Sequence, residues 1–488
     1  MSSPTIQKDV YKEFHRLAYH PSVTRVFANF TNRSNTHSNI EDCDGVYHVG
    51  LQYFIQDYLI EDWNEHFFNV PVDDAVANHH RYLSAMLGFP VDVQYLRDLH
   101  ALGHLPLLIK SLPEGMKVPY QVPSFTVVNT HPDFAWLTNA IETVLSCEVW
   151  PMQTSLTTSV AYLKNFKESF ERTGVPMELL PFMGHDFSFR GMFGRHAAAM
   201  SGFAHLASGF AGTDTIPALE FAERFYDADV DAELVGCSVC ATEHSVTCSW
   251  IEEGEIAFIR YLMNEACPTG ILSIVADTWD FWKLVNEYLP LLHDEIMARD
   301  GKVVIRPDSG DPVKIVCGDP GALEGSPEFK GLVECLWDEF GGTTTAQGFR
   351  ILDEHVGAIY GDAITLERQE QIIAQLEAKG FAPTVVLGIG SYTYQFVTRD
   401  THGSAVKATH VIKEGKGLSI YKKPATDVSK KSARGLLRVD REDGELKLFD
   451  MQSEEGESMG LLQPVFKDGK ALNRTTLGAI RERVWDSL

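Results

Sequence analysis

The strongest constraint on the fold is a series of short apolar runs separated by longer segments with helical spacing. This alternation is typical of βα units, in which successive strands lie parallel and a helix connects each strand to the next. Residues 366–379 illustrate a connecting helix, because Thr365 can cap its first turn and Gly380 can end it. The runs that we predict to be strands are residues 238–241, 271–276, 303–305, 358–360 and 384–387.

Each predicted strand leads directly into polar or glycine residues. An α/β barrel places its active site at the carboxyl ends of its parallel strands, so five such junctions in order favour a barrel over an open sheet. A dinucleotide-binding sheet is disfavoured, because the nearest glycine motif, Gly388-Ile389-Gly390, has Thr393 at the third glycine position. The residues after the runs are Glu243-His244, Asp277, Arg306-Pro307-Asp308-Ser309-Gly310, Gly361-Asp362 and Gly388-Ile389-Gly390-Ser391.

The two flanks of the chain have a different pattern and predict a second domain. Residues 36–145 are irregular and rich in aromatic side chains, and residues 435–450 form a hairpin pattern around Asp443-Gly444. We therefore expect residues 1–145 to form most of a flanking α+β domain, residues 146–400 to form the barrel, and residues 401–488 to return to the flanking domain.

The charge distribution narrows the class of partner. The chain has 42 Lys and Arg residues against 67 Asp and Glu residues, and a net charge of −25 argues against nucleic-acid or anionic-membrane binding. Residues 401–440 are the exception, with nine basic and three acidic residues. This stretch is either a solvated basic face or part of a pocket for a small, highly anionic ligand. Without a signal-peptide pattern or a long apolar stretch, we expect a cytoplasmic protein with no membrane span.

Four residues near the first predicted strand have spacing that could suit a tetrahedral zinc site. They are Cys237, Cys240, His244 and Cys248. However, an extended chain points Cys237 and Cys240 to opposite faces, and buried cysteines often act as small apolar residues. A zinc-binding module therefore stays as a remote alternative.

The rival interpretation places His244 in a polar cluster at the mouth of the barrel. Its neighbours there would be Glu243, Asp277, Arg306 and Asp308, which follow three different predicted strands. A neutral imidazole supported by carboxylates is a good nucleophile or base, and a guanidinium offers a fork of donors to an oxyanion. A purely structural role for His244 would not explain this cluster.

A set of short motifs runs through the chain in a fixed order. They are His185-Asp186-Phe187-Ser188-Phe189-Arg190-Gly191, Gly212-Thr213-Asp214-Thr215, Glu243-His244-Ser245, Ser273 with Asp277, Ile305-Arg306-Pro307-Asp308-Ser309-Gly310, Gly361-Asp362 and Thr398-Arg399-Asp400. In order and spacing they resemble the nicotinamide phosphoribosyltransferases, which are type II phosphoribosyltransferases. The resemblance extends from Asp9-Val10-Tyr11-Lys12 to the C-terminal hairpin.

The resemblance implies an irregular (β/α) barrel with a flanking β-rich domain, in a homodimer whose active sites are shared between subunits. The implied reaction joins nicotinamide to phosphoribosyl pyrophosphate, giving nicotinamide mononucleotide and pyrophosphate in NAD salvage. It also implies that ATP is a co-substrate that phosphorylates His244, with Glu243 orienting the imidazole. Nicotinate is the alternative base on the same scaffold.

The resemblance also assigns the base-binding residues. Phe187 would stack on one face of the pyridine ring, and Tyr11 of the partner subunit would cover the other. Arg306 would donate to the amide oxygen, and Asp214 would accept from the amide nitrogen, although Asp214 could instead cap a helix that begins near Thr215. Ser273 belongs to the same implied substrate-binding set.

The remaining implied roles concern ribose, metal and phosphate. Asp277 and Asp308 would hold the ribose hydroxyls and Mg²⁺, a hard cation that prefers oxygen ligands. The sequence departs from the family pattern at Ser188-Phe189 and at Gly390-Ser391-Tyr392. The implied phosphate contacts are Arg190, Arg399, Lys407 and, from the partner, Arg33, Lys422 and Lys423, with Gly361, Asp362, Gly390 and Ser391 in phosphate-facing loops.

Overall fold

The chain divides into two compact units in a computed structural model that describes residues 3–422 and 433–488. The first unit comprises Met1–Thr157, Ala222–Ala228 and Val397–Ser487, and the second comprises Thr158–Phe221, Asp229–Phe396 and Leu488. The first boundary falls inside the helix Glu142–Thr173, so residues 146–157 group with the first unit rather than with the barrel segment. Lys423 lies outside the described residues.

A parallel sheet forms the centre of the second unit. Among the described residues it has seven strands, and every neighbouring pair is parallel. All five runs predicted from the sequence lie in this sheet, and the remaining two strands are only two and three residues long. In spatial order the strands are Gly212–Thr213, Gly184–Asp186, Val386–Ile389, Val356–Tyr360, Gly301–Arg306, Gly270–Val275 and Cys240–Ala241.

The two edges of this sheet come together. Gly212, in one edge strand, forms a parallel bridge with Cys237, which leads into the strand at the opposite edge. The N–H of Thr213 donates to the Cys237 carbonyl at 2.9 Å, and the Cys237 N–H donates to the Ala211 carbonyl at 2.7 Å. The sheet therefore curves into an irregular barrel, and the predicted α/β fold class is confirmed.

The barrel strands are continuous apolar runs in the sequence, because helices cover one face of each strand and the barrel interior covers the other. Val303 and Ile305 are at most 1% exposed, as are Leu387 and Ile389 on a neighbouring strand. The predicted cap is confirmed, because Thr365 accepts a hydrogen bond from the Arg368 N–H at 3.3 Å.

Some predicted helices are interrupted. We also predict a helix over residues 279–297 from its spacing; the structure has a continuous helical stretch Phe281–Leu291, whose central residues Leu284–Tyr288 have π-helical hydrogen bonding, and a short helix His293–Met297 after Leu292. No helix in residues 3–422 and 433–488 is long and apolar enough to cross a bilayer. The longer α-helices are Tyr11–Ala18, Val72–Leu87, Gln94–Leu102, Glu142–Thr173, Arg195–Ala207, Ile216–Tyr226, Leu332–Phe340, Leu366–Ala378 and Leu477–Asp486.

The first unit is built on an antiparallel sheet that draws strands from both ends of the chain. Val23–Thr31 lies between Ala405–Lys413 and Pro123–Asn129, so N-terminal and C-terminal segments share one sheet, as predicted. The hairpin is also confirmed, because Asp443 and Gly444 have φ values of 56° and 86° that suit a tight turn. The sheet strands in order are Lys416–Ser419, Ala405–Lys413, Val23–Thr31, Pro123–Asn129, Leu107–Ser111, Gln463–Lys467 and Lys470–Ala471.

Candidate active site

Phe187 occupies a site that two glycines keep open. Its N–H donates to the Ile389 carbonyl at 3.0 Å, directly after the strand Gly184–Asp186. A Cβ atom on Gly388 would lie 2.4 Å from the Phe187 ring, and one on Gly361 would lie 3.2 Å from that ring and 3.5 Å from an Asp308 carboxylate oxygen. Three strand ends therefore bring Phe187 and Asp308 to one place.

Asp214 is held by two side-chain hydrogen bonds. Its Oδ1 atom accepts from Ser238 Oγ at 2.6 Å and lies 2.9 Å from His185 Nε2. Burial alone would raise the pKa of Asp214, but these two bonds and the charge of Arg306 outweigh it, so the pKa is lowered and the carboxylate is ionised. Among the described residues, the hydrogen bonds of this side chain go to His185 and Ser238 rather than to an N–H of the helix Ile216–Tyr226, which does not favour the helix-cap interpretation.

His244 contacts a different carboxylate from the one predicted. Its Nε2 atom lies 3.1 Å from Asp277 Oδ1, whereas the Glu243 carboxylate accepts a hydrogen bond from Ser245 Oγ. The expectation that Glu243 orients the imidazole is therefore corrected, because the Glu243 carboxylate is hydrogen-bonded to Ser245 instead. Since a carboxylate only accepts, Nε2 carries the proton in the neutral ring and the lone pair lies on Nδ1.

Asp277 connects the histidine to the next loop. Its Oδ2 atom accepts from the Asp308 N–H at 3.1 Å, so one nearly buried carboxylate joins two strand ends. Ser273 lies on the same strand, Gly270–Val275, and is 4% exposed. The predicted cluster of His244, Asp277 and Asp308 is therefore assembled in the second unit.

Arg306 ends its strand with one donor engaged and another available. Its Nη2 donates to the Thr242 carbonyl at 2.6 Å, which fixes the guanidinium. Its Nε is buried and has no hydrogen-bond partner in the described part of the chain. A buried donor without an acceptor is costly, so this atom fits an oxygen supplied by a ligand.

Carboxylates converge around Tyr360. Burial raises the pKa of its hydroxyl, and the negative charges of Asp362, Asp277, Asp308 and Asp311 raise it further. Their oxygens are the donor type that Mg²⁺ prefers, and the local negative charge favours a cation. Within residues 3–422 and 433–488 no group of three or more His, Cys, Asp or Glu side chains could hold a metal ion, so any Mg²⁺ here would take further ligands from substrate.

The absence of a metal-binding group among the described residues also concerns the zinc alternative. Cys237, Cys240 and Cys248 are free thiols, and with His244 they form no metal-binding group among the described residues. The zinc interpretation therefore receives no support from the structure.

The implied phosphate loops of the second unit lie against each other. A Cβ on Gly191 would overlap Ser391 Oγ at 1.9 Å, so the 3₁₀ turn Phe189–Gly191, which carries Arg190, packs directly on the start of the helix Ser391–Gln395 that follows Gly390. Tyr392, which departs from the family pattern, stacks on Phe396 with centroids 5.3 Å apart.

The first unit holds a separate group of cations. Burial lowers the pKa of Lys407, and the positive charges of Arg33, Lys422 and Arg399 lower it further, against the opposing charge of Glu142. Arg33 is fixed by a 2.6 Å hydrogen bond from its Nε to the Gly403 carbonyl. A bound polyanion would stabilise four mutually repelling cations, which favours the pocket interpretation of the basic stretch.

Tyr11 lies on the exposed side of the helix Tyr11–Ala18. Its side chain is 55% exposed, and Phe14 and Leu17 on the same helix are 67% and 65% exposed. Lys12 and Glu13 are buried instead, so the usual distribution of polar and apolar residues is inverted. An exposed apolar helix face of this kind is suited to contact with another chain.

No role was predicted from the sequence for His185 and Ser238, whose side chains hold Asp214, or for Thr242, whose backbone carbonyl holds Arg306. His185 is the first residue of the motif that ends at Gly191, so the sequence did indicate it as a candidate site residue. Ser238 and Thr242 lie in or beside a predicted strand, where no pattern distinguishes a side chain that contacts a neighbouring loop.

Comparison with known proteins agrees with this geometry. Residues 182–470 match the model of the nicotinate phosphoribosyltransferase (NAPRTase) family. The chain is 48% identical to the nicotinamide phosphoribosyltransferase of Acinetobacter baylyi, over 98% of this chain and 96% of that protein. It is 32% identical to the nicotinamide phosphoribosyltransferase of Xanthomonas campestris, over 98% of this chain and 97% of that protein.

A solved structure shares the fold. The nicotinate-nucleotide pyrophosphorylase from Pyrococcus furiosus superposes with a TM-score of 0.61 at 14% identity, covering 99% of this chain and 95% of that one. This likeness places the barrel and the antiparallel sheet in one known fold.

Proposed function

Because the chain belongs to the nicotinate phosphoribosyltransferase (NAPRTase) family, we propose that it transfers the phosphoribosyl group of phosphoribosyl pyrophosphate to nicotinamide. The products are nicotinamide mononucleotide and pyrophosphate, as in NAD salvage. The observation that carries the choice of base is the ionised Asp214, since a carboxylate accepts from an amide NH₂ and repels a second carboxylate.

The base is held by shape and by polar contacts. Phe187 stacks on the pyridine ring, and an aromatic pair of this kind contributes about 0.5–1.5 kcal/mol beyond burial. Arg306 donates to the amide oxygen, for which its unpartnered Nε is available, and Asp214 accepts from the amide nitrogen. Ser273, on the strand Gly270–Val275, belongs to the same proposed base-binding set.

The transfer itself requires little acid–base chemistry from the protein. The pyridine nitrogen attacks the anomeric carbon with its own lone pair while pyrophosphate leaves, through a cation-like sugar. Asp277 and Asp308 hold the ribose hydroxyls, and their charge stabilises the developing cation. These two residues would also hold Mg²⁺ together with substrate oxygens, and the ion would supply positive charge to the departing pyrophosphate.

The phosphates are bound by cations and small-residue loops. In such loops a small residue lets backbone N–H groups approach the anion. In the second unit the contributing residues are Arg190, Gly361, Asp362, Gly390 and Ser391. Arg33 and Lys422, which the resemblance assigned to the partner, lie in the same chain's group of cations with Arg399 and Lys407, so we propose that these four bind phosphate together.

ATP acts as a co-substrate through His244. The imidazole attacks the γ-phosphorus of ATP through its Nδ1 lone pair, the bond to ADP breaks, and the Nε2 proton stays on the side of Asp277. Later hydrolysis of this phosphohistidine favours product formation.

The active protein is a homodimer with shared sites. Tyr11 of the partner subunit covers the second face of the pyridine ring. The exposed apolar side of the helix Tyr11–Ala18 supports this role, because a monomer leaves it in water.

Replacing Asp214 by asparagine is expected to narrow the ratio of kcat/KM for nicotinamide over nicotinate at least about tenfold. Two like charges about 4 Å apart repel by about 4 kcal/mol at an effective dielectric near 20, and Asp214→Asn removes one of them. The ratio is measured from initial rates with each base at saturating phosphoribosyl pyrophosphate. An unchanged ratio in a folded variant would remove Asp214 from base selection.

Product identification tests the proposed reaction. Purified protein is incubated with Mg²⁺, phosphoribosyl pyrophosphate and one base at a time, and mononucleotide and pyrophosphate are quantified by mass spectrometry and a coupled assay. Nicotinamide should yield both in equal amounts. Faster turnover of nicotinate would replace the proposed base, and no mononucleotide from either base would contradict the reaction.

A further inference from the structure

The two oxygens of Asp214 have unequal surroundings. Oδ1 is bonded to both Ser238 Oγ and His185 Nε2, at 2.6 and 2.9 Å. Oδ2 accepts no hydrogen bond from the described residues, although the side chain is only half buried. The protein therefore occupies one oxygen and leaves the other for a ligand.

The imidazole of His185 is itself fixed in position. His185 pairs with Gly212 on the neighbouring parallel strand, and a Cβ on Gly212 would lie 2.8 Å from His185 Nδ1. The other side of the ring packs against Phe187, with centroids 4.6 Å apart. Because Nε2 faces a carboxylate, it must be the protonated nitrogen and it donates to Asp214.

We propose that His185 is a positioning residue that, with Ser238, locks the Asp214 carboxylate and thereby sets the preference for an amide over a carboxylate on the base. This inference rests on the proposed function. Two donors on Oδ1 prevent rotation about the Cβ–Cγ bond, so Oδ2 stays aimed at the ligand. The amide NH₂ of nicotinamide can then donate to Oδ2. The carboxylate of nicotinate would instead lie beside the negative charge of Asp214, which is held in a fixed orientation.

A matched pair of substitutions separates this role from simple packing. His185→Gln can place its amide nitrogen near the Nε2 position, whereas His185→Asn places it near the Nδ1 position. We expect His185→Gln to keep the nicotinamide-to-nicotinate ratio of kcat/KM close to that of wild type, and His185→Asn to narrow it about tenfold. The KM for nicotinamide should rise in His185→Asn while the KM for phosphoribosyl pyrophosphate stays unchanged.

Ser238 provides a second, milder variant. Its side chain is exposed, so Ser238→Ala leaves the core intact and should narrow the ratio about threefold through loss of one hydrogen bond. If His185→Asn fails to give a cooperative thermal transition, Ser238→Ala alone decides the question, and an unchanged ratio there would overturn the inference.

A double-mutant cycle tests whether His185 acts through Asp214. In the Asp214→Asn background, His185→Asn should change the ratio no further, because the charge being positioned is gone. A second, independent tenfold change would mean that His185 selects the base by another route. Wild-type protein that uses neither base contradicts the proposed function itself, whereas a wild-type nicotinamide preference that survives both His185→Asn and Ser238→Ala contradicts only this inference.

Discussion

Asp308→Ala is expected to lower kcat/KM for phosphoribosyl pyrophosphate about a thousandfold, because it removes the proposed contacts to ribose and Mg²⁺, which would be worth about 1.5–3 kcal/mol each. Asp308→Asn is the matched control, since it keeps the shape and loses the charge, and its activity should be intermediate. Initial rates at varied phosphoribosyl pyrophosphate, with thermal melting as a check on folding, measure the effect. A loss below threefold in folded Asp308→Ala would exclude Asp308 from the site.

The same variant tests the shared site. When inactive Asp308→Ala is mixed with inactive Tyr11→Ala under conditions that exchange subunits, half of the dimers are mixed and each holds one intact site. Activity should therefore recover to about one quarter of wild type. Absence of recovery, with exchange proven by mass spectrometry of tagged subunits, would mean that each site is built from one chain.

His244→Ala is expected to abolish both phosphoryl labelling and ATP stimulation while leaving basal transfer, because substrate positioning does not require the imidazole. Wild-type protein incubated with ATP labelled in its γ-phosphate should give an acid-labile, base-stable phosphoprotein. Glu243→Gln should keep the label, since the Glu243 carboxylate contacts Ser245 rather than the imidazole. Full ATP stimulation in His244→Ala would exclude the phosphohistidine.

Much of the barrel is predictable from the sequence, because each buried parallel strand leaves a local apolar run followed by polar residues. Strand Gly301–Arg306 and the capped helix Leu366–Ala378 illustrate this. The strands Gly184–Asp186 and Gly212–Thr213 escape detection, since two or three residues carry no periodicity. Closure of the sheet depends on a pairing between Gly212 and Cys237 that no local pattern reveals.

The sequence indicates which polar residues follow the strands, but it does not indicate which of them contact each other. The family resemblance assigned Glu243 to His244, yet the imidazole contacts Asp277, which is 33 residues away. The donors to Asp214 are His185, within the strand Gly184–Asp186, and Ser238, just before the strand Cys240–Ala241. Such contacts depend on how the strands are arranged in the folded barrel, so no local sequence pattern predicts them.

Direct competition between the two bases tests the central claim most sharply. Equal concentrations of nicotinamide and nicotinate are incubated with the wild-type protein, Mg²⁺ and limiting phosphoribosyl pyrophosphate, and the two mononucleotides are quantified in one chromatogram. Repulsion at Asp214, offset in part by Arg306, leaves about 2–3 kcal/mol, so nicotinamide mononucleotide should exceed nicotinate mononucleotide by about 30- to 150-fold. Equal amounts of the two products, or an excess of nicotinate mononucleotide, would contradict the account.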